Sequence, residues 1–275
     1  MTTTSARPRP TLPTGPRPRA AIQAKTLRTD NWRGNPLLIA GILAFFVVYS
    51  TIRIFMNKYY FVDGYHYLTP LYSPCLSKTC VADAAEFGRP LGHFPFWLPL
   101  GIVAFPIVAG FRVTCYYYRK SGYRSLWLSP QACAVQEPHA KYSGETRFPL
   151  IFMNAHRYFF YLASLVLLLN IWDGVHAFQG KDGNFGLGLG TLIIWINIAA
   201  LAGYATSCHA CRHVIGGKLK HFSKHPMRYR FWVLVSKLNV RHGTFAMTSL
   251  FTVILTDAYI MSVSAKWITD LRIFN

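Results

Sequence analysis

Five apolar runs, each about as long as the hydrocarbon core of a bilayer is thick, leave this chain few ways to fold. A membrane helix needs roughly 20 apolar residues, and runs of that kind lie at about 37–57, 94–118, 149–173, 187–208 and 243–264 of 275 residues. Lipid offers no partner to backbone N–H and C=O groups, so only helices and closed barrels cross it. Runs of this length predict an all-α membrane protein, a bundle of five transmembrane helices. Charged residues make up 14% of the chain, against about 25% in a soluble domain, which argues against an ordinary soluble enzyme. Residues 1–33 are rich in Pro, Thr and Arg and lack an apolar run. They read as a disordered basic tail. They do not form a cleavable signal peptide, because the first apolar stretch begins only at Pro36 and is long enough to span. Residues 34–275 form the transmembrane domain.

The formal charge is +19, which in a soluble protein would point to nucleic acid. In an apolar chain it reports topology, because Lys and Arg collect in cytoplasmic loops. Of 29 basic residues, 22 fall in the tail, between Arg112 and Arg147, at Arg157, and between Arg212 and Arg241. The other side holds Arg53, Lys58, Lys78, Arg89, Lys181, Lys266 and Arg272. The expected topology is therefore a multi-pass protein of the cell membrane, N-terminus and basic loops cytoplasmic, C-terminus outside. The basic face should attract lipid phosphates and an acidic face on a docked subunit. The segment Pro226 to Arg241 mixes Arg and Lys with Phe231, Trp232, Val233 and Leu234, the pattern of an amphipathic helix in the inner interface.

The cysteines divide by compartment. Cys75 and Cys80 lie in the outer loop 58–93, where a disulfide can persist as a staple. Cys115, Cys133, Cys208 and Cys211 lie at inner span ends or in inner loops, and reduced thiols there are available as metal ligands. His139, His156, His209, His213, His221, His225 and His242 crowd the same side, although basic surface loops account for some of them.

Helical phase sorts these candidates. If the helix continues through Ser207-Cys208-His209-Ala210-Cys211-Arg212-His213, Cys208 and Cys211 share one stripe and His209 and His213 another, roughly 150° away. The cysteine stripe continues through Tyr204, Asn197 and Gly190, the histidine stripe through Ala202, Ile198 and Trp195. Small and polar residues mark helix contacts in membranes, so the cysteines should face inward. The stripe of His156 holds Ala163, Asn170 and Gly174, and that of His242 holds Ala246, Ser249 and Thr256; both should face the bundle interior. Cys115 shares its stripe with Gly101 and Ala104 but also with Val108 and Phe111, which leaves its direction open. Four helices would thus bring Cys115, His156, Cys208 or Cys211, and His242 to one depth. Two thiolates with two imidazoles suit tetrahedral zinc, or a Rieske-type [2Fe–2S] cluster in which His replaces Cys on one iron. Haem b would use His156 and His242 and leave the cysteines without a role. A set of satisfied polar residues with no cofactor is the fourth reading.

The runs Arg112-Val113-Thr114-Cys115-Tyr116-Tyr117-Tyr118-Arg119-Lys120, Ser129-Pro130-Gln131-Ala132-Cys133, Gly144-Glu145-Thr146-Arg147-Phe148-Pro149, His156-Arg157-Tyr158, the segment 207–213 and His221-Phe222-Ser223-Lys224-His225-Pro226 resemble the five-helix membrane-anchor subunit of respiratory complex II, succinate:quinone oxidoreductase. The resemblance covers residues about 30–265. It implies an anchor that holds a flavoprotein and an iron–sulfur subunit against the inner face and passes electrons from succinate to quinone. Better-known anchors of this kind bind two haems through four histidines on four helices. Here the first span, Leu37 to Lys58, has no His, and Cys115 stands where an inner-side haem ligand is expected, which favours the cluster. His93 and His176, near the outer face, read as interfacial.

The chain has no FAD or NAD fingerprint and no ferredoxin cysteine run, so flavin and further iron–sulfur clusters belong to partner chains, and the polypeptide cannot oxidise succinate alone. Gly183, Gly186, Gly188 and Gly190 imitate a phosphate loop without a preceding strand and read as loop flexibility and close packing. A quinone near the inner interface needs hydrogen bonds and ring contacts; Arg157, Tyr158, Tyr161 and Trp232 are suitable types, and aromatic-belt and positive-inside anchors are the plainer reading for each. The expected ligands are Cys208, Cys211, His156 and His242, with Cys115 as the main substitute.

Overall fold

A computed structural model describes residues 30–128, 132, 133, 135, 144–148, 150–180 and 183–275. Residues 1–29 of the basic tail, His139, Lys181 and Asp182 lie outside the described residues, as do Ser129, Pro130, Gln131 and Pro149 of the motifs. Among the described residues the chain forms eight α-helices: α1 Gly34–Met56, α2 Phe105–Thr114, α3 Tyr116–Gly122, α4 His156–His176, α5 Leu189–Thr206, α6 His209–Gly216, α7 Pro226–Asn239 and α8 His242–Ser264. Among the described residues two short antiparallel pairs accompany the helices: the hairpin β1 Phe61–Val62 with β2 Tyr67–Leu68, and β3 Leu187–Gly188 with the distant C-terminal strand β4 Arg272–Phe274.

Among the described residues four helical stretches are long and apolar enough to cross a membrane: Gly34–Met56, Leu150–His176, Leu189–Thr206 and His242–Ser264. The expected helix over 94–118 is not continuous. Its core is the ten-residue α2, preceded by a 3-10 turn at Leu100–Ile102 and followed by Cys115 in an extended conformation. Proline is the cause at the start: Pro95 and Pro99 precede the turn and Pro106 occupies the first turn of α2. Proline has no N–H to give to a preceding turn and its ring clashes with it, so helix can begin at these residues but not run through them. The broken segment still runs the length of the bundle. Leu100 N–H donates to Asn57 Oδ1 at the C-terminal end of α1, and Cys115 meets His242 at the opposite end.

α8 packs along α5, α4 lies between α2 and α5, and α3 lies against α1. Gly203 permits the closest approach of α5 and α8: a Cβ there would stand 2.5 Å from the Phe245 ring. The larger core cluster contains Phe46, Ile54, Phe111, Tyr118, Tyr204, Ala246 and Leu250. α1 is tied to α8 by the ion pair Arg53–Asp257, with Nε to Oδ2 at 2.6 Å and Nη2 to Oδ1 at 3.1 Å, and Tyr49 donates to the same carboxylate at 2.7 Å. Arg53, counted by sequence on the outer side, and Asp257 are thus buried helix residues. Arg112, counted with the inner basic residues, is buried too, at 1% exposure.

Cys75 and Cys80 form a disulfide in the segment that caps one end of the bundle. There His66 Nε2 and His176 Nδ1 each contact Glu86, at 2.7 and 3.1 Å. His93 is exposed and does not join them.

The expected amphipathic segment 226–241 is α7, packed on α6 through Arg212, which lies 4.7 Å over the Trp232 ring and donates to Ser236. Only Val235 of α7 is buried, while Met227, Phe231 and Leu234 are exposed beside Arg228 and Arg230.

Candidate metal centre

At the end of the bundle opposite the disulfide, four residues distant in sequence come together as two Cys–His pairs. His156 Nε2 lies 3.1 Å from Cys208 Sγ, and His242 Nε2 lies 3.2 Å from Cys115 Sγ. Two interruptions of helix create this arrangement. Cys115 ends α2 and starts α3 with φ −64° and ψ 131°. Cys208 separates α5 from α6 with φ −67° and ψ 144°. Each cysteine is nearly completely buried, at 2% and 1% exposure. The histidines supply the other half from the first residues of α4 and α8.

The hydrogen bonds behind both imidazoles favour one tautomer. Thr114 Oγ1 donates to the Gly110 carbonyl at 2.7 Å, so toward His156 Nδ1, 2.9 Å away, it accepts. Ser207 Oγ donates to the Tyr204 carbonyl at 3.1 Å and accepts from His242 Nδ1 at 2.8 Å. With the proton held on Nδ1, each Nε2 presents its lone pair to a thiol. This is the outer-shell pattern that orients a ligating histidine. Asn239 of α7 holds the turn by donating to the Ser207 carbonyl at 2.7 Å. The Phe111 ring stacks on His156 at 4.9 Å and the Tyr204 ring on His242 at 5.1 Å.

The break at Cys208 corrects the phase assumed across 207–213. Cys208 joins the pairs, whereas Cys211, on α6, is half-buried and packs against the same core without lining the cavity that the pairs line. Burial pushes the Cys211 thiol above its ordinary value, so it stays protonated near neutrality. Cys115, expected only as a substitute, joins the group. Its direction was illegible because its side chain is oriented by an extended residue between two helices. Among the described residues no three His, Cys, Asp or Glu side chains converge on one ion position.

The four residues line a cavity of about 790 Å³ that opens past Tyr116, Arg157, Tyr158, His209 and His213. Arg157 Nη2 lies 3.1 Å from His213 Nδ1, and Tyr158 is largely exposed. Burial, followed by the charge of Arg212, holds His209 below its ordinary pKa. Of the other two expected quinone residues, Tyr161 is half-exposed on α4 and Trp232 packs against Phe222, Tyr229 and Gly216. Neither lines the cavity.

A family model described as actinobacterial succinate dehydrogenase subunit SdhC matches residues 34–266. Among solved structures, a chain of the Mycobacterium smegmatis Sdh1 complex in the apo form is 54% identical. The match covers 94% of this chain and 97% of that one, with a TM-score of 0.87. A comparison with curated protein sequences finds no match.

Proposed function

The chain belongs to the actinobacterial succinate dehydrogenase SdhC family, and from that premise we propose that it conducts electrons to quinone through a [2Fe–2S] centre of Rieske type held by Cys115, His156, Cys208 and His242. The reading is of a membrane anchor with five crossings, the fifth being the broken segment 100–115, and with the ligand end on the cytoplasmic side. A flavoprotein and an iron–sulfur subunit dock on that basic end and bring the flavin and the linear clusters.

One observation carries the proposal: two Cys–His pairs from four separate segments, with both imidazole Nε2 lone pairs aimed at thiols by Thr114 and Ser207. The donor set fits the group. Two thiols and two imidazoles are the Rieske complement, and the pairs do not converge on the single point that a mononuclear zinc requires. Cys115, Cys208, His156 and His242 are the residues that would hold such a centre. Haem b is disfavoured, because each Nε2 is already engaged by a thiol and each imidazole carries an aromatic ring on one face.

Bound there, the centre would supply one-electron transfer between the iron–sulfur subunit and quinone. The chain's own contribution is positional. On binding the centre Cys115 and Cys208 would lose their protons, Thr114 and Ser207 would keep the Nδ1 protons in place, and Phe111 and Tyr204 would exclude water. Quinone also needs two protons and an amphipathic pocket. Arg157 and Tyr158 at the cavity mouth are placed to bind its headgroup, while Tyr161 and Trp232 serve as interface anchors.

Iron and acid-labile sulfide assays with electron paramagnetic resonance on the purified complex test the reading. We expect one [2Fe–2S] signal beyond those of the partner subunits, lost in Cys208→Ser. A haem Soret band without an additional [2Fe–2S] signal would sink it.

A further inference from the structure

Among the described residues two arginines are buried in the bundle, and only one of them has a carboxylate. Arg53 is paired with Asp257. Arg112, at 1% exposure, is held by neutral groups alone: Nη1 donates to the Ala246 carbonyl at 3.2 Å and to Tyr118 Oη at 3.3 Å, and Nη2 donates to Ser249 Oγ at 3.2 Å. Its guanidinium lies over two rings, 5.1 Å from Phe46 and 4.9 Å from Tyr204. Nε has no partner. Among the described residues no acid neutralises it.

An intramembrane guanidinium is always charged and costly to bury alone. Cation–π contacts with Phe46 and Tyr204 offset only part of that cost. Its placement indicates the missing anion. Cys115 donates its backbone N–H to the Arg112 carbonyl at 3.1 Å, so ligand and cation sit on one turn. The Tyr204 ring that Arg112 covers also stacks on His242.

We propose that Arg112 is the built-in counter-cation of the ligand site, a positioning residue that favours its reduced form. This rests on the cluster reading given above. Two ferric ions, two sulfides, two thiolates and two neutral imidazoles sum to zero charge. One electron from the iron–sulfur subunit converts one ferric ion to ferrous and leaves a single negative charge. A fixed cation stabilises that state over the neutral one, by an amount that low dielectric enlarges. The guanidinium is anchored to α8 at Ala246 and Ser249, which holds it in place beside the site.

The test is a redox titration of the purified complex, followed by electron paramagnetic resonance, with iron content measured alongside. Arg112→Gln removes the charge but keeps donors for Ser249 and Ala246; Arg112→Lys keeps the charge. Ser249→Asp leaves Arg112 in place and gives it a carboxylate, which keeps the idea testable should the Gln variant fail to assemble. We expect Arg112→Gln and Ser249→Asp to weaken reduction at least tenfold, a fall of about 59 mV for one electron, with iron content retained, and Arg112→Lys to stay near the unsubstituted complex. Unchanged potentials in the Gln and Asp variants, or a Lys variant shifted as far as Gln, would overturn the assignment. Absence of the additional signal from the unsubstituted complex defeats the cluster reading itself and this proposal with it, a different result from an unmoved potential.

Discussion

At the scale of single residues, the ligand group separates two cysteines that sequence made look alike. Cys208 and Cys211 share a stripe only if the helix runs unbroken, and the extended conformation at Cys208 places one thiol in the group and the other on α6. Cys211→Ser should therefore leave the iron content of the complex unchanged, whereas Cys115→Ser should abolish the additional signal. Full iron loss in Cys211→Ser would reverse that assignment. The hydroxyls behind the histidines make a finer test. Thr114→Val or Ser207→Ala removes the acceptor that keeps the proton on Nδ1, and outer-shell losses of this kind lower metal affinity about 10- to 100-fold. Chelator competition should reveal this as faster iron loss at equal protein. His156 and His242 were legible because burial of a stripe of small residues is written in composition. Thr114 and Ser207 were not, because their role depends on which neighbouring carbonyl takes their proton, Gly110 in one case and Tyr204 in the other.

At the scale of helices, what sequence predicts well is length and apolarity, and what it misses is interruption. α1, α5 and α8 fall within a few residues of expectation, because long apolar runs have one solution in lipid. The second run was misread as one helix although Pro95, Pro99 and Pro106 mark where helix cannot run through. The break at Cys115 carries no such mark: neither Thr114 nor Tyr116 is a helix breaker, and tertiary contacts override local preference there. Gly203 shows how tightly the regular helices meet. A leucine there must push against Phe245, one turn from the ligand histidine of α8. We expect Gly203→Leu to lower the thermal midpoint of the solubilised complex and to deplete iron, with Gly203→Ala milder in both.

At the scale of the whole molecule, the two ends of the bundle differ in chemistry. One carries thiols, imidazoles and the mouth residue Arg157; the other carries the disulfide and the contacts of Glu86 with His66 and His176. The basic-residue count predicts that the first end is cytoplasmic, with α1 starting there and α8 ending on the far side. Alkaline phosphatase fused after Asn275 should be active and the same reporter fused at the N-terminus inactive; the reverse pattern would invert the orientation. The tie between the first and last helices is Arg53–Asp257, and breaking a buried pair by removing one charge costs about 3–5 kcal/mol. Asp257→Asn should therefore destabilise the chain far more than substitution at exposed Phe96, as read from thermal unfolding. Finally, the two Cys–His pairs extend from Cys115 to His242, while the disulfide closes across a separation of five. The disulfide can form as soon as its own short loop has been made, but the Cys–His pairs cannot assemble before α8 has been synthesised and inserted. Under the proposed cluster reading, loading of the site therefore follows nearly complete translation of the anchor, a checkpoint on finished insertion rather than an early folding event.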